Sequence, residues 1–392
     1  MRVGVVVPWC SEKPIGGVES LALHLVKQFQ GLGHEAELLT TTGQSAFSSW
    51  DGNHFESGVE RHTWGNIRRF SLDRRNHRLF EELFGRLHSG HPLTWLEEQQ
   101  FLLQKVSSLS MYRYIEAQGA DYTVIGLPYY YGLVYWALRA ARGATGLIPC
   151  LHDEPEAHLR TTARLLMASS RVFINSHPEF ELMRQILPPG GADRVRARVT
   201  GQPVSERLGD AGRFQAKFSL TEPFLLYVGR KVAGKRLPEI LEFFKEARRE
   251  LRSDLKLVIV GPGSLKDIGY SALPQGVVDL GELPEEDKAD AMAAAAALCH
   301  FSALESFSLV LMEAWLQRTP AIVRSDAAVL QDHLKRSQGG WVVGDRSEFT
   351  AAVREALRPQ VRAKRGARGQ NYALQFTGTR IARGILDELA HA

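Results

Sequence analysis

The sequence predicts an α/β protein of two domains, each a doubly wound parallel sheet with helices on both faces. Three observations carry this reading. At 392 residues the chain is longer than a single hydrophobic core normally serves. Short β-branched runs alternate with amphipathic helical segments along most of it, the pattern of parallel βα units. The alternation then restarts near residue 224, after a Gly- and Pro-containing stretch.

The first unit is legible residue by residue. Residues 2–7 read as a strand and lead to a loop with Gly16 and Gly17. Val18, Leu21, Ala22, Leu25, Val26 and Phe29 then recur at i, i+3, i+4 and i+7, which places one apolar face on a helix. Gly31 and Gly33 stop it, and Glu35–Thr40 is the next strand. Residues 61–118 break the rhythm and are expected to form a mainly helical insertion. Its mixture of Trp64, Arg68, Arg69, Phe70, Arg74, Arg75, Arg78, Phe80, Phe84 and Trp95 suits helices that pack aromatics inward and turn charges to water. The alternative is an acceptor-side surface for an anionic head group or a sugar chain. Strands resume at 123–127, 147–151 and 171–175.

Residues 201–222 read as a linker between domains 1–203 and 204–368. The second series has strands at 224–228 and 256–260, helices at 237–251 and 285–297, and a strand at 298–301. A helix from Ser308, strands 321–323 and 341–343 and a helix at 347–357 complete it. The amphipathic segment 372–389, within a C-terminal helical region of about 370–392, is placed back across the first domain.

Composition excludes several classes. Hydrophobic residues make up 44% and charged residues 23%, ordinary for a globular enzyme. A net charge of +4 suits an anionic ligand or a lipid surface and is too small to point to nucleic acid. Cys10, Cys150 and Cys299 form no CxxC pair; Cys150 and Cys299, in apolar runs, read as buried thiols, and a reducing cytoplasm is the expected compartment. No apolar run reaches the ~18 residues that span a bilayer, so membrane contact is expected to be peripheral, at the inner face. His88 and His91 lack the convergent ligands of a metal site, and no DxD triplet occurs.

Three features of the second half point to chemistry. Gly229-Arg230-Lys231-Val232-Ala233-Gly234-Lys235-Arg236 is a basic loop between a strand and a helix, where open α/β sheets bind ligands. Arg230 can fork onto phosphate oxygens, and Lys235 adds a compact charge. Gly261-Pro262-Gly263 follows a buried strand and permits close backbone approach. Glu305 precedes a helix and Glu313 lies inside it among Leu309, Leu311, Met312 and Trp315, where a carboxylate is costly unless it binds something.

The Glu-x7-Glu spacing, preceded by Arg230, Lys235 and the Gly-x-Gly turn, resembles glycosyltransferase family 4, a retaining family of GT-B fold. Gly16-Gly17-Val18-Glu19 looks like that family's Gly-Gly-x-Glu entry, and His152-Asp153-Glu154-Pro155 like its central His motif. The resemblance spans roughly residues 1–360. It implies a GT-B architecture of two Rossmann-like domains facing a central cleft, and a nucleotide diphosphate sugar, UDP- or GDP-linked, as donor. It assigns Arg230 and Lys235 to the diphosphate, Glu305 to hydroxyls of the transferred sugar and Glu313 to the ribose. Gly263 and the amides of Phe307, Ser308 and Leu309 would hold sugar and phosphate. Gly16 and Gly17 would approach the phosphates, and His152 the reacting sugar and acceptor. The acceptor is expected to be a glycan, a lipid-linked intermediate or a small molecule. No cofactor and no essential metal are expected, because the departing phosphate itself helps deprotonate the acceptor. The chain departs from the family's Glu-Gly-Phe-Gly with Glu305-Ser306-Phe307-Ser308, which puts side chains where backbone approach is tightest. A GT-B relative acting only as a nucleotide- or glycan-binding partner subunit is the alternative. A dinucleotide-dependent oxidoreductase is disfavoured, because the first loop lacks Gly-x-Gly-x-x-Gly.

Overall fold

The computed structural model describes residues 1–11, 16–45, 48, 50–251 and 253–392. The chain divides into two compact units, Met1–Pro203 with Gly378–Ala392, and Val204–Thr377.

In the first unit the strands are β1 (Arg2–Val6), β2 (Glu35–Thr41), β3 (Gly58–His62), β4 (Gly65–Phe70), β5 (Tyr122–Gly126), β6 (Thr145–Leu147), β7 (Arg171–Ile174) and β8 (Ala197–Val199). They form one sheet in the order β3-β4-β2-β1-β5-β6-β7-β8, parallel except for the β3/β4 hairpin. Val3, Val5 and Val6 on β1 and Val124 and Ile125 on β5 are fully buried, as strands covered on both faces require. Helix Gly378–Ala390 belongs to this unit and packs along helix Gly17–Gly31, with Ile381, Ile385 and Leu389 buried.

Two expectations are corrected here. Residues 61–70 are not the start of a helical insertion. They belong to the hairpin that edges the sheet, and only helices His77–His88, Trp95–Lys105 and Leu109–Ala117 form the insertion. The arginines hid the strand: Arg68 reaches across to Glu37 at 2.9 Å, and buried Arg69 pairs with Glu60 and donates to the Cys10 carbonyl at 2.7 Å. The strand expected at 147–151 ends at Leu147. Pro149 offers no ladder donor, and Cys150 turns the chain at φ 53°.

The second unit contains β9 (Phe224–Val228), β10 (Lys256–Val260), β11 (Val277–Asp279), β12 (Ala297–His300), β13 (Ala321–Arg324) and β14 (Gly340–Val343). All are parallel, in the order β11-β10-β9-β12-β13-β14. Renumbered within the unit this is 3-2-1-4-5-6, the doubly wound dinucleotide-fold order. The central strand β9 carries five buried residues in a row. One core lies around Phe214, Leu226, Phe307, Met312 and Trp315, the other around Leu225, Tyr227, Phe244, Phe301 and Phe349. The linker is shorter than expected. Residues 211–218 are a helix whose Phe214 is wholly buried and whose Arg213 and Lys217 pair with Asp290 and Asp287. No helix among the described residues is long and apolar enough to cross a membrane.

Candidate functional site

Strand order reverses between β9 and β12, so the loops that leave their carboxyl ends diverge and open a crevice. The first of these loops carries Arg230 and Lys235, and the second carries Glu305. Across the crevice Lys235 Nζ meets Glu305 Oε1 at 2.5 Å. Neither residue is in the core proper: Lys235 is 25% and Glu305 14% exposed.

A third group, which the sequence did not flag, completes the cluster. His300, the last residue of β12, is buried and places Nε2 at 3.3 Å from Glu305 Oε1 and 2.9 Å from Ser308 Oγ. Burial alone would push the Glu305 carboxyl up. The His300 hydrogen bond and the Lys235 charge outweigh it and hold Glu305 well below the usual carboxylate range. Glu305 is therefore an anion and an acceptor, unsuited to giving up a proton.

Ser308 stands at the N-terminus of helix Leu309–Leu316 with φ 75° and ψ 81°, and its side chain does not cap the helix. The first amides of that helix, from Leu309 on, have no intrahelical acceptor. Phe307 itself is core: its ring is fully buried against His333 and Phe376, so only its main chain can serve a ligand. One turn into the helix, Glu313 pairs with Lys288, whose Nζ lies 3.2 Å from Oε2 and 3.5 Å from Oε1. Burial raises Glu313, Lys288 offsets this only in part, and nearby Glu285 adds to the rise.

The glycine turn after β10 is built against the basic loop. A Cβ on Gly261 would sit 2.2 Å from the Gly229 carbonyl oxygen, so glycine is required for the two loops to touch. Gly263 has φ 100°, and a Cβ there would lie 3.2 Å from Lys231 Cβ. Lys231 turns inward and is almost wholly buried, donating to the carbonyls of Gly261 at 2.6 Å and Gly263 at 3.1 Å and pairing with Asp279. It fastens the turn, while Lys235 is the cation that meets Glu305. Arg230 is partly buried, and its carbonyl accepts from Tyr227 Oη at 2.7 Å.

The remaining residues named from sequence lie in the first unit. Gly16 precedes helix Gly17–Gly31 in an extended conformation, φ −120°, and a Cβ on Gly16 or Gly17 would meet nothing within 4 Å. Packing among the described residues therefore does not demand glycine at either position. His152 follows β6 and is half-buried, its carbonyl accepting from Glu154 N at 2.9 Å. Beside it Glu154 accepts from Tyr129 Oη at 2.7 Å, and Glu156 takes both Lys105 and His88 at 3.2 Å. Lys105 is completely buried, and burial pulls its ammonium down to about 8. His88 is thus a partnered histidine. The three cysteines are buried thiols outside any disulfide among the described residues.

Residues 210–372 match the family model of glycosyl transferases group 1. Among solved structures, the whole chain superposes on one from E. coli described as trehalose-6-phosphate bound with UDP-2-fluoro glucose, at TM-score 0.74 and 13% identity, covering 100% of this chain and 99% of that one.

The fold is GT-B.

Sucrose-phosphate synthase from Thermosynechococcus elongatus has the same GT-B fold, at TM-score 0.72 and 17% identity, over 99% of this chain and 98% of that one. Anabaena HepE in complex with UDP and glucose matches at TM-score 0.69 and 16% identity over the full length of both. No curated protein matches the sequence. The group 1 match falls wholly within the second unit and takes in Arg230, Lys235, His300, Glu305, Ser308 and Glu313.

Proposed function

We propose that this protein is a retaining glycosyltransferase that moves a hexose from a UDP- or GDP-sugar to a glycan, lipid-linked or small-molecule acceptor in surface polysaccharide or glycoconjugate synthesis. The observation that carries the proposal is the Lys235–Glu305–His300 cluster at the strand-order reversal of a GT-B domain that matches glycosyl transferases group 1. HepE and the E. coli neighbour, solved with UDP and with UDP-2-fluoro glucose, support a uridine nucleotide as the first donor to try.

Chemistry follows from the charges. Arg230 and Lys235 face the diphosphate and stabilise the negative charge that grows on it as the glycosidic bond breaks, the electrostatic effect that commonly dominates such sites. Lys235 then exchanges part of its contact with Glu305 for phosphate oxygens. Glu305, kept ionised, accepts hydrogen bonds from hydroxyls of the transferred sugar and fixes the ring relative to the breaking bond. The amides of Phe307, Ser308 and Leu309 take sugar and phosphate oxygens at a helix N-terminus, where the dipole favours anions. The Glu313 carboxylate, paired with Lys288, accepts hydrogen bonds from the ribose hydroxyls. Gly16 and Gly17 are assigned to the donor phosphates and His152 to the acceptor. No residue is assigned as covalent nucleophile, and no metal is assigned a role.

A thermal-shift screen with UDP, GDP, dTDP and ADP tests the donor assignment, because a ligand that binds the folded state raises the melting midpoint by mass action. A shift with UDP or GDP, followed by hydrolysis of the matching α-linked hexose donor with release of the α anomer, is the expected result. No shift with any nucleotide refutes the proposal, and release of the β anomer refutes retention.

A further inference from the structure

Ser308 holds a backbone conformation that suits glycine. Its φ of 75° lies in the left-handed region, which a side chain at Cβ makes costly. A serine at a helix N-terminus often repays such a position by capping, and this one does not cap. Its hydroxyl goes elsewhere, to Nε2 of His300 at 2.9 Å, with both residues buried.

His300 Nε2 therefore faces two oxygens, Ser308 Oγ and Glu305 Oε1, the latter at 3.3 Å. Glu305 is an anion, so a lone pair on Nε2 would face a negative charge with no proton between them. The arrangement is favourable only if Nε2 carries its proton, which Glu305 and Ser308 then share as acceptors. Lys235 approaches the same Oε1 from the neighbouring loop. Both contacts fall on one carboxylate oxygen, and Oε2 is left without a hydrogen bond to any described residue. Strained residues persist where their surroundings over-determine them, and here the hydroxyl–imidazole bond is the contact that does so.

We propose that Ser308 and His300 are positioning residues. The serine hydroxyl fixes the His300 ring so that Nε2–H clamps Glu305 Oε1, and this presents Oε2 to the substrate sugar. The inference rests on the reading of Glu305 as the acceptor for sugar hydroxyls. It accounts for a side chain at a position where glycine would relieve the backbone.

Two measurements on the full chain test it. The first needs no donor. Two-bond proton–nitrogen spectra of the histidine-labelled protein should show His300 with its proton on Nε2, and Ser308→Gly should shift that resonance. A proton on Nδ1 alone, or a spectrum indifferent to Ser308→Gly, overturns the proposal. The second uses UDP-glucose and GDP-mannose as probes. Ser308→Gly should melt no lower than the parent and bind UDP or GDP within about twofold, yet lose about tenfold in kcat for donor turnover, since one directed hydrogen bond is at stake. His300→Gln keeps an N–H near Nε2 and should retain most of that kcat, whereas His300→Met should lose it. Parental kcat in Ser308→Gly overturns the proposal, as does an equal loss of nucleotide affinity and kcat. If the parent turns over neither probe, the donor assignment fails for those sugars, and the histidine spectrum still decides the clamp.

Discussion

Replacing Lys235 by Met removes the cation at the crevice and keeps most of the aliphatic stem. Two effects of different origin should follow. In the unliganded protein Glu305 loses its nearest countercharge. Removing one partner of a fully buried pair costs about 3–5 kcal/mol, whereas exposed pairs contribute about 0–1 kcal/mol. With Lys235 25% and Glu305 14% exposed, and His300 still bonded to Oε1, the expected cost falls between these limits, about 2 kcal/mol. For a unit the size of Val204–Thr377 this corresponds to a melting transition lower by ~4–8 °C. In the donor complex the variant also loses a charge-assisted contact to phosphate, so UDP or GDP affinity should fall by about 10- to 100-fold. Calorimetry of Lys235→Met, Glu305→Gln and the double variant separates the two. The double variant no longer holds an uncompensated charge and should recover most of the lost stability, while nucleotide affinity stays low. A single variant that melts with the parent, or a double variant with restored nucleotide affinity, refutes the reasoning.

Further outcomes follow from neighbouring residues. Glu313→Gln removes a carboxylate whose ionisation burial opposes, so the unliganded protein should melt at the same or a higher temperature while its nucleotide affinity drops; a lower midpoint with unchanged affinity would contradict this. Acid unfolding should report Glu305: its folded value lies below the ordinary 4.5, so its contribution is present above 4.5 and is lost as pH falls through the depressed value. Glu305→Gln should therefore flatten the acid limb of a stability–pH profile, and a steeper limb would show the sign to be wrong. Gly261→Ala drives a methyl to within 2.2 Å of the Gly229 carbonyl at φ 132° and should cost about 2 kcal/mol or more, read from denaturant midpoints.

What the sequence disclosed followed the physics of each segment. Five consecutive buried residues on β9, or the i, i+3, i+4 face of helix Gly17–Gly31, can have few other readings, and both stand where the pattern placed them. The hairpin at 58–70 was hidden because its arginines are satisfied by cross-strand carboxylates, which a linear pattern of charge cannot reveal. Helix Ala211–Phe218 was hidden by polar composition: one buried ring, Phe214, anchors it, and its charges pair with Asp287 and Asp290 some seventy residues away. Within the site, the structure brings Lys235, Glu305 and Ser308 into one cluster and leaves Gly16, Gly17 and His152 in the other unit. His300 and Lys288 escaped notice for opposite reasons. The first is a polar residue ending an apolar strand, a visible anomaly five residues before Glu305; the second lies on a charged helix that reads as solvated. Lys231 and Lys235 look alike in sequence, and only burial separates the lysine that fastens a turn from the one that meets a ligand.

The most direct test is a structure of the protein with UDP or GDP bound. The diphosphate should lie within hydrogen-bonding distance of Lys235 and of the amides at Phe307–Leu309, with the Glu313 carboxylate on the ribose and Glu305 still beside His300. A nucleotide bound away from the carboxyl ends of β9 and β12, or one whose phosphates leave Lys235 paired only with Glu305, would contradict the account.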